Sequence, residues 1–546
     1  MTFTLTSKHF ILALIIIIGV FFRFYQLDQI PPALNWDEVS LGYNAYSILK
    51  TGKDEWGQSF PLIFRAYGDF KLPLYVYATV PSIFVFGLNP ISTKLVSLLA
   101  GIFLIPLTYL IISQLFHSSR LGYIGAALIA FSPWSIHLSR IALEANLFLF
   151  LFLLSLYFLI HYRFTWSALS YVLCLFTYNS SRVLFLFFLL IYFSTFLRSK
   201  YSLKQLIPGL VTIAFGALLV AYQLFFSQTG QARYYWVSLL DQGAINWINQ
   251  TRSTFPIPAL SRLAINKFTY FSFHFFQNYL SHFDPRYLFI QGGSHYQFNI
   301  PGQPLIYPWL LPLALIGLVG LIKSSFASTA SSLRFFLFWL LVSPIPSAIT
   351  RDAPHTLRSI TFLLFFTYTI TYGIYYLFNW WQFQFKPLLL AGITLTFCLL
   401  LFASTLIFWP RYHQYAITYS QSWQYGHQPM VSYLKNHYRE YDQILITKKY
   451  GEPHEFLLFY WPWPPLSYQT DPAKIWDYHA SWYWVDAFDK FKFINDWEIV
   501  DQTKNLTGKT LLITSPANFS TDGSKIIQTI HFPDNTIAFQ IIAYEK

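Results

Sequence analysis

The sequence predicts an α-helical polytopic membrane protein of about 11 transmembrane helices with a small C-terminal extracytoplasmic α/β domain. Three observations predict it. Of 546 residues, 55% are hydrophobic and 21% aromatic, while 11% are charged, against roughly 25% in an ordinary soluble domain. Long apolar runs recur up to residue 410, and a mixed, strand-like pattern follows. Gly is scattered and no heptad is sustained, which excludes collagen and coiled coil; the apolar content excludes disorder. Cys174 and Cys398 both lie in apolar runs, so they offer neither a disulfide framework nor a metal site. The net charge of +12 is dispersed between apolar segments, which fits membrane lipids and no nucleic acid.

A spanning helix needs about 20 apolar residues. The stretches that qualify are 9–25, 92–114, 121–138, 146–160, 164–178, 183–197, 205–226, 305–322, 335–349, 359–378 and 387–409. The first has only Lys8 before it and no A-x-A-like site after it, so it reads as a retained helix. Lys8, Arg120, Arg163, Arg198, Lys200, Lys204, Lys323, Arg334 and Lys386 then fall on one side, in short loops without Asp or Glu. Excess Lys and Arg marks the cytoplasm, so the amino terminus is expected inside and the long loops outside. Residues 73–88 carry Pro73 and Pro81 and are short, which suits a juxtamembrane or re-entrant element.

Two domains are expected: 1–410 in the membrane, with a first outer loop at 26–91 and a long one at 227–304, and a soluble domain at 411–546. In the latter QILITK and TLLITS read as buried strands, and the closing segment as a hairpin turning at Asp534-Asn535.

The outer loops carry the chemistry. Asp37 and Glu38 follow the first span by about ten residues, at the start of a helical pattern. Helix capping by Asp37, with Glu38 complementing the dipole, explains the pair without catalysis; a fixed carboxylate is also what a general base requires. Farther along, Tyr67, Asp69 and Lys71 stand at the entrance to an apolar segment. Lys71 can neutralise a phosphate there, or snorkel to the interface. Arg140 and Glu144, four apart, are expected on one helical face, either as an ion pair or lining a polar path. Arg182, the loop cluster Arg233, Arg252, Asn266, Lys267, His282 and Arg286, and then Arg351, Asp352, His355 and Arg358 complete a basic, aromatic-rich surface. Such a surface suits an anionic lipid-linked substrate. Phosphate-loop, dinucleotide, CxxC, HExxH and GxSxG patterns are missing from the sequence.

Asp37-Glu38 after the first span, Lys71-Leu72-Pro73-Leu74 closing the first outer loop, and Arg140 with Glu144 at the fourth span resemble the polytopic glycosyltransferases of the protein mannosyltransferase and aminoarabinose transferase type, the GT-C class. The resemblance covers roughly residues 8–410. Leu72 stands where the motif's first Pro is usual, and Glu144 where relatives often carry Asp. The resemblance implies a polyprenyl-phosphate-linked sugar donor and a protein, glycan or lipid acceptor. Transfer would occur with inversion at the outer face of the cell membrane. It implies Asp37 as general base, Glu144 as a second catalytic carboxylate and Glu38 as a pocket residue. Tyr67, Asp69, Lys71, Arg140, Arg182, His355 and Arg358 would bind substrate. A divalent metal is compatible with Glu144 as a ligand. A lipid or solute transporter is the alternative that a chain of many spans with buried charge permits.

Overall fold

The computed structural model describes residues 7–68, 70–226, 237–327, 331–380, 387–479, 482–504, 506, 508–519 and 524–545. Asp69, Arg233 and Lys386 lie outside them. Six helices are long and apolar enough to cross a bilayer: Pro90–Leu115, Ser180–Leu197, Leu203–Phe225, Pro308–Ser325, Ile360–Phe378 and Ala391–Thr418. A seventh counts if Ser119–Phe131 and Pro133–Ser139, bent by 58°, form one span. The protein is a multi-pass membrane protein, but the expectation of about 11 spans is corrected to six or seven among the described residues.

The excess arose because an apolar run does not reveal where its helix stops. Runs at 146–160, 164–178 and 335–349 became Glu144–Ile160, Phe164–Leu175 and Leu333–Ala348, each shorter than 18 residues. At 1.5 Å per residue such helices fall short of a hydrocarbon core about 30 Å thick. Pro73–Phe86 is shorter still, at 14 residues.

The chain packs as two compact units. One comprises Met1–Arg23, Leu99–Ser139 and Glu144–Phe408, the other Phe24–Leu98, Arg140–Leu143 and Trp409–Lys546. In the first, the break before Pro133 illustrates how apolar helices tolerate interruption. Proline has no N–H, so the carbonyl of Ile129 loses its helical donor. Arg23, itself fully buried, donates to Ile129 O (3.3 Å), Ala130 O (3.2 Å), Ser135 Oγ (2.9 Å) and Ser139 Oγ (3.2 Å). A buried cation and orphaned carbonyls thereby satisfy each other.

The second unit is built on a seven-stranded sheet. A short pair, β1 (Phe64–Arg65) and β2 (Phe70–Lys71), precedes it. The sheet contains β3 (Gln443–Thr447), β4 (Ile475–His479), β5 (Trp482–Phe488), β6 (Phe491–Ile494), β7 (Lys509–Thr514), β8 (Ser524–His531) and β9 (Ile537–Glu545). Their order is β4-β5-β6-β3-β7-β9-β8. The continuous apolar runs of β3 and β7 pair in parallel at its centre, as strands covered on both faces do. The β8–β9 hairpin turns at Asn535, whose φ is +68°. Helix Trp36–Thr51 enters this core: Tyr43 packs with Leu434, Ile444, Leu457 and Phe488. The first loop and the sheet therefore share one interior.

Candidate active site

Asn35 begins the site. Its side chain accepts the N–H of Glu38 (3.1 Å), and Glu38 returns a bond to the N–H of Asn35 (3.2 Å), closing a capping box on helix Trp36–Thr51. The expected cap, Asp37, is thus corrected to Asn35: its side chain is the one the backbone geometry aims at the third helical N–H. Glu38 is fully buried and also accepts the N–H of Ala142 at 2.7 Å. Burial raises its pKa, offset in part by the nearby Lys94 ammonium.

Asp37 has a different partner. Its Oδ1 lies 2.9 Å from Lys71 Nζ, with both side chains less than one-fifth exposed. Lys71 ends β2, two residues before Pro73 opens the next helix. Proline is favoured at a first helical position, so the strand-to-helix junction fixes the lysine's backbone. Tyr67 braces the pair: its hydroxyl donates to Trp36 O at 2.6 Å, and its ring stacks on Trp482 at 5.5 Å. Burial, then the surrounding carboxylates, push the Tyr67 phenol well above its usual pKa, so it acts as a neutral donor.

Arg140 lies in the same unit, fully buried. It donates to Ile30 O (2.7 and 2.9 Å), Tyr25 O (2.8 Å) and Gln26 O (2.8 Å) and faces the rings of Trp409 and Tyr412. The expectation that Arg140 and Glu144 share a helix is corrected. Helix Pro133–Ser139 ends before Arg140, and Glu144 opens the next helix. Residues 140–143 are non-helical, and one of their N–H groups goes to Glu38 instead.

The remaining candidates belong to the other unit. Glu144 is buried at the first position of helix Glu144–Ile160. Arg182 donates to Leu175 O at 3.2 Å and Gln223 Oε1 at 2.5 Å. His355 and Arg358 line a cavity of about 710 Å³ with Arg286, Arg351, His295 and Asn299. Arg358 donates to Thr350 Oγ1 at 2.8 Å and lies 3.6 Å from Asp352. Asp69 is outside the described residues.

Sequence reasoning missed Lys94, although a lone lysine inside an apolar helix was a readable signal. It also missed Glu55 and Glu455, hydrogen-bonded to each other and each 1% exposed. No local pattern joins residues 400 positions apart. Among the described residues no group of three His, Cys, Asp or Glu side chains is placed to hold a metal ion.

Residues 13–240 match the family model described as dolichyl-phosphate-mannose-protein mannosyltransferase. That match takes in less than half of the chain. No curated protein matches this chain. Among solved structures it is similar to the apo oligosaccharyltransferase of Archaeoglobus fulgidus, with 12% identity and a TM-score of 0.49 over 84% of this chain and 64% of that one. It is also similar to ArnT from Cupriavidus metallidurans bound to undecaprenyl phosphate, with 12% identity and a TM-score of 0.45 over 98% of each chain. The chain spans about 63% of the length of the archaeal oligosaccharyltransferase AglB.

Proposed function

We propose that this protein is a GT-C glycosyltransferase, which transfers a sugar from a polyprenyl-phosphate carrier to an acceptor hydroxyl with Asp37 as general base. The observation that carries the reading is the Asp37–Lys71 pair at 2.9 Å, held at a helix N-terminus. Asp37 takes the acceptor's hydroxyl proton while the oxygen attacks C1 of the sugar. The bond from C1 to the phosphate oxygen breaks, and the phosphate leaves with its electrons and is neutralised by Lys71. Attack opposite the leaving group inverts the anomeric centre. Glu38 and Arg140 position the site, since their polar atoms engage backbone. Arg182, His355 and Arg358 are assigned to the anionic donor, and Glu144 to the pocket.

We assign the reaction to the extracytoplasmic side of the cell membrane. The support is that, with the bent pair Ser119–Phe131 and Pro133–Ser139 counted as one span, segments 116–120, 198–204 and 323–334 fall on one side and contain Arg or Lys and no acidic residue. The test is transfer from a polyprenyl-phosphate sugar in proteoliposomes. Asp37→Asn should lower the rate about 10²- to 10⁴-fold, the range for a lost general base. Near-normal transfer by a correctly inserted variant would remove Asp37 from that role.

A further inference from the structure

We infer that the sheet-bearing unit binds a neutral oligosaccharide in a groove between helix His427–His437 and strand β8. The groove encloses about 690 Å³, within the range of about 300 to 1,000 Å³ for small-ligand sites. Helix and strand both belong to the segment Trp409–Lys546 of one compact unit.

The helix supplies one wall in two rows. Gln428, Ser432 and Asn436 recur at every fourth residue and so form a polar row, with Tyr433 and His437 in the row beside it. On the helix's other side Met430, Val431 and Leu434 are buried in the same core as Ile530 of β8. Gln528 lies two residues before Ile530, on the same face of the strand, and lines the groove from the strand side.

Two properties of this lining select the ligand. The first is polarity without ionic charge. Among the described residues the lining includes three exposed carboxamides, those of Gln428, Asn436 and Gln528, and no carboxylate, ammonium or guanidinium. A carboxamide donates from nitrogen and accepts at oxygen, which matches neighbouring sugar hydroxyls, each a donor and an acceptor. Anions are instead held by Arg and Lys. The second is an aromatic surface fixed in advance. Tyr425 and Tyr433 rest against the core. The Tyr433 ring stacks on that of His437, with centroids 4.1 Å apart and planes 15° from parallel, and His437 Nδ1 donates to Tyr433 O at 3.0 Å. The negative faces of aromatic rings attract the polarised C–H face of a pyranose. A peptide main chain would need backbone partners, and a helical wall has already bonded its own. Such binding goes beyond the proposed transfer and does not rest on Asp37.

The experiment places the full chain, in fluorescent phosphatidylcholine nanodiscs, on an array of neutral hexose and N-acetylhexosamine oligomers, uronic acid oligomers and uncharged peptides. The strongest ligand is then titrated by saturation-transfer NMR. A neutral oligosaccharide should bind most strongly. Gln428→Ala with Asn436→Ala should weaken it roughly tenfold, as the loss of two hydrogen bonds implies. Ser432→Trp, which fills the groove from an exposed position, should abolish binding, and both variants should keep the wild-type melting temperature. Asp37→Asn should bind as the wild type does, so failure of the base and failure of the groove are separate results. Absence of any neutral ligand, stronger binding of uronic acid oligomers or peptides, or undiminished binding by the two groove variants would overturn the inference.

Discussion

Replacing both Glu55 and Glu455 by Gln should remove most of the alkaline instability of the sheet-bearing unit. Glu55 and Glu455 are buried and share a hydrogen bond. Their outer oxygens, Glu55 Oε2 and Glu455 Oε2, have no hydrogen-bond partner. Burial pushes Glu55 from its ordinary 4.5 up to about 8, and burial with the facing carboxylates pushes Glu455 well up too. The charged and polar neighbours are Asn44, Asp54 and Lys474 around Glu55, and Glu452, Ser40 and His454, whose Nε2 lies 3.8 Å away, around Glu455. Between the unfolded and folded pKa values the native state holds a proton that the unfolded chain has released. Stability is therefore highest in acid, falls as pH rises through that window, and levels off above about 8. At about 1.36 kcal/mol per unit, moving from pH 5.5 to the folded pKa costs about 3 kcal/mol, roughly two orders of magnitude in the opening equilibrium. Gln cannot ionise, and its amide oxygen still accepts from Asn44 Nδ2, a bond of 3.1 Å in the native pair. The assay is hydrogen exchange of the β3 and Pro453–Tyr460 amides in the intact protein at pH 5.5 and 8.5, corrected for intrinsic rates. Wild-type protection should fall about a hundredfold and that of the Glu55→Gln, Glu455→Gln double variant less than tenfold. Parallel losses in the two proteins would refute the reasoning.

Two further substitutions test how the site is held. Gly451 has φ +111°, and a Cβ there would lie 2.1 Å from the Trp36 ring, so Gly451→Ala should cost roughly 1 to 3 kcal/mol and lower the melting temperature and transfer rate together. Arg140→Met would leave the carbonyls of Tyr25, Gln26 and Ile30 without their guanidinium donor. Its expected cost is about 3 to 5 kcal/mol, read as lost monodisperse protein on size exclusion, with Arg140→Lys failing to rescue because a single ammonium lacks the planar fork.

The membrane class was legible because composition reports the solvent directly. The number of crossings was not, because hydropathy measures polarity and not helix length. Ser132-Pro133 and Ser343-Pro344 interrupt runs that a sliding window reads as continuous. In the tail the strands QILITK and TLLITS and the turn at Asp534-Asn535 were readable from local pattern. That the tail's core would enclose Tyr43 of the first loop was not, because an amphipathic helix names its apolar face but not the surface that covers it. For the same reason Asp37 and Lys71 could be singled out from sequence, whereas their contact at 2.9 Å depends on the β1–β2 turn bringing Lys71 back across from Phe64. Arg140 and Glu144 mark the opposite failure: spacing of four implies a shared face only if the helix is unbroken between them.

The division of labour among three neighbouring polar residues, Asn35, Asp37 and Glu38, explains why Asp37 is suited to its proposed role as base. Asn35 and Glu38 complete the cap, and Glu38 also holds the N–H of Ala142. The helix terminus is thus satisfied without Asp37, whose Oδ1 faces Lys71. An acceptor hydroxyl approaching that oxygen competes with an ammonium, and loses unless the ammonium has another anion to follow. A donor phosphate provides one. Donor binding should therefore precede acceptor binding, and polyprenyl phosphate should inhibit competitively against the donor and non-competitively against the acceptor. In Lys71→Ala the order should become random while the maximal rate falls, because the same change removes the charge proposed to stabilise the leaving phosphate. An acceptor-first pattern in the wild-type protein would mean that the Asp37–Lys71 contact does not gate the base.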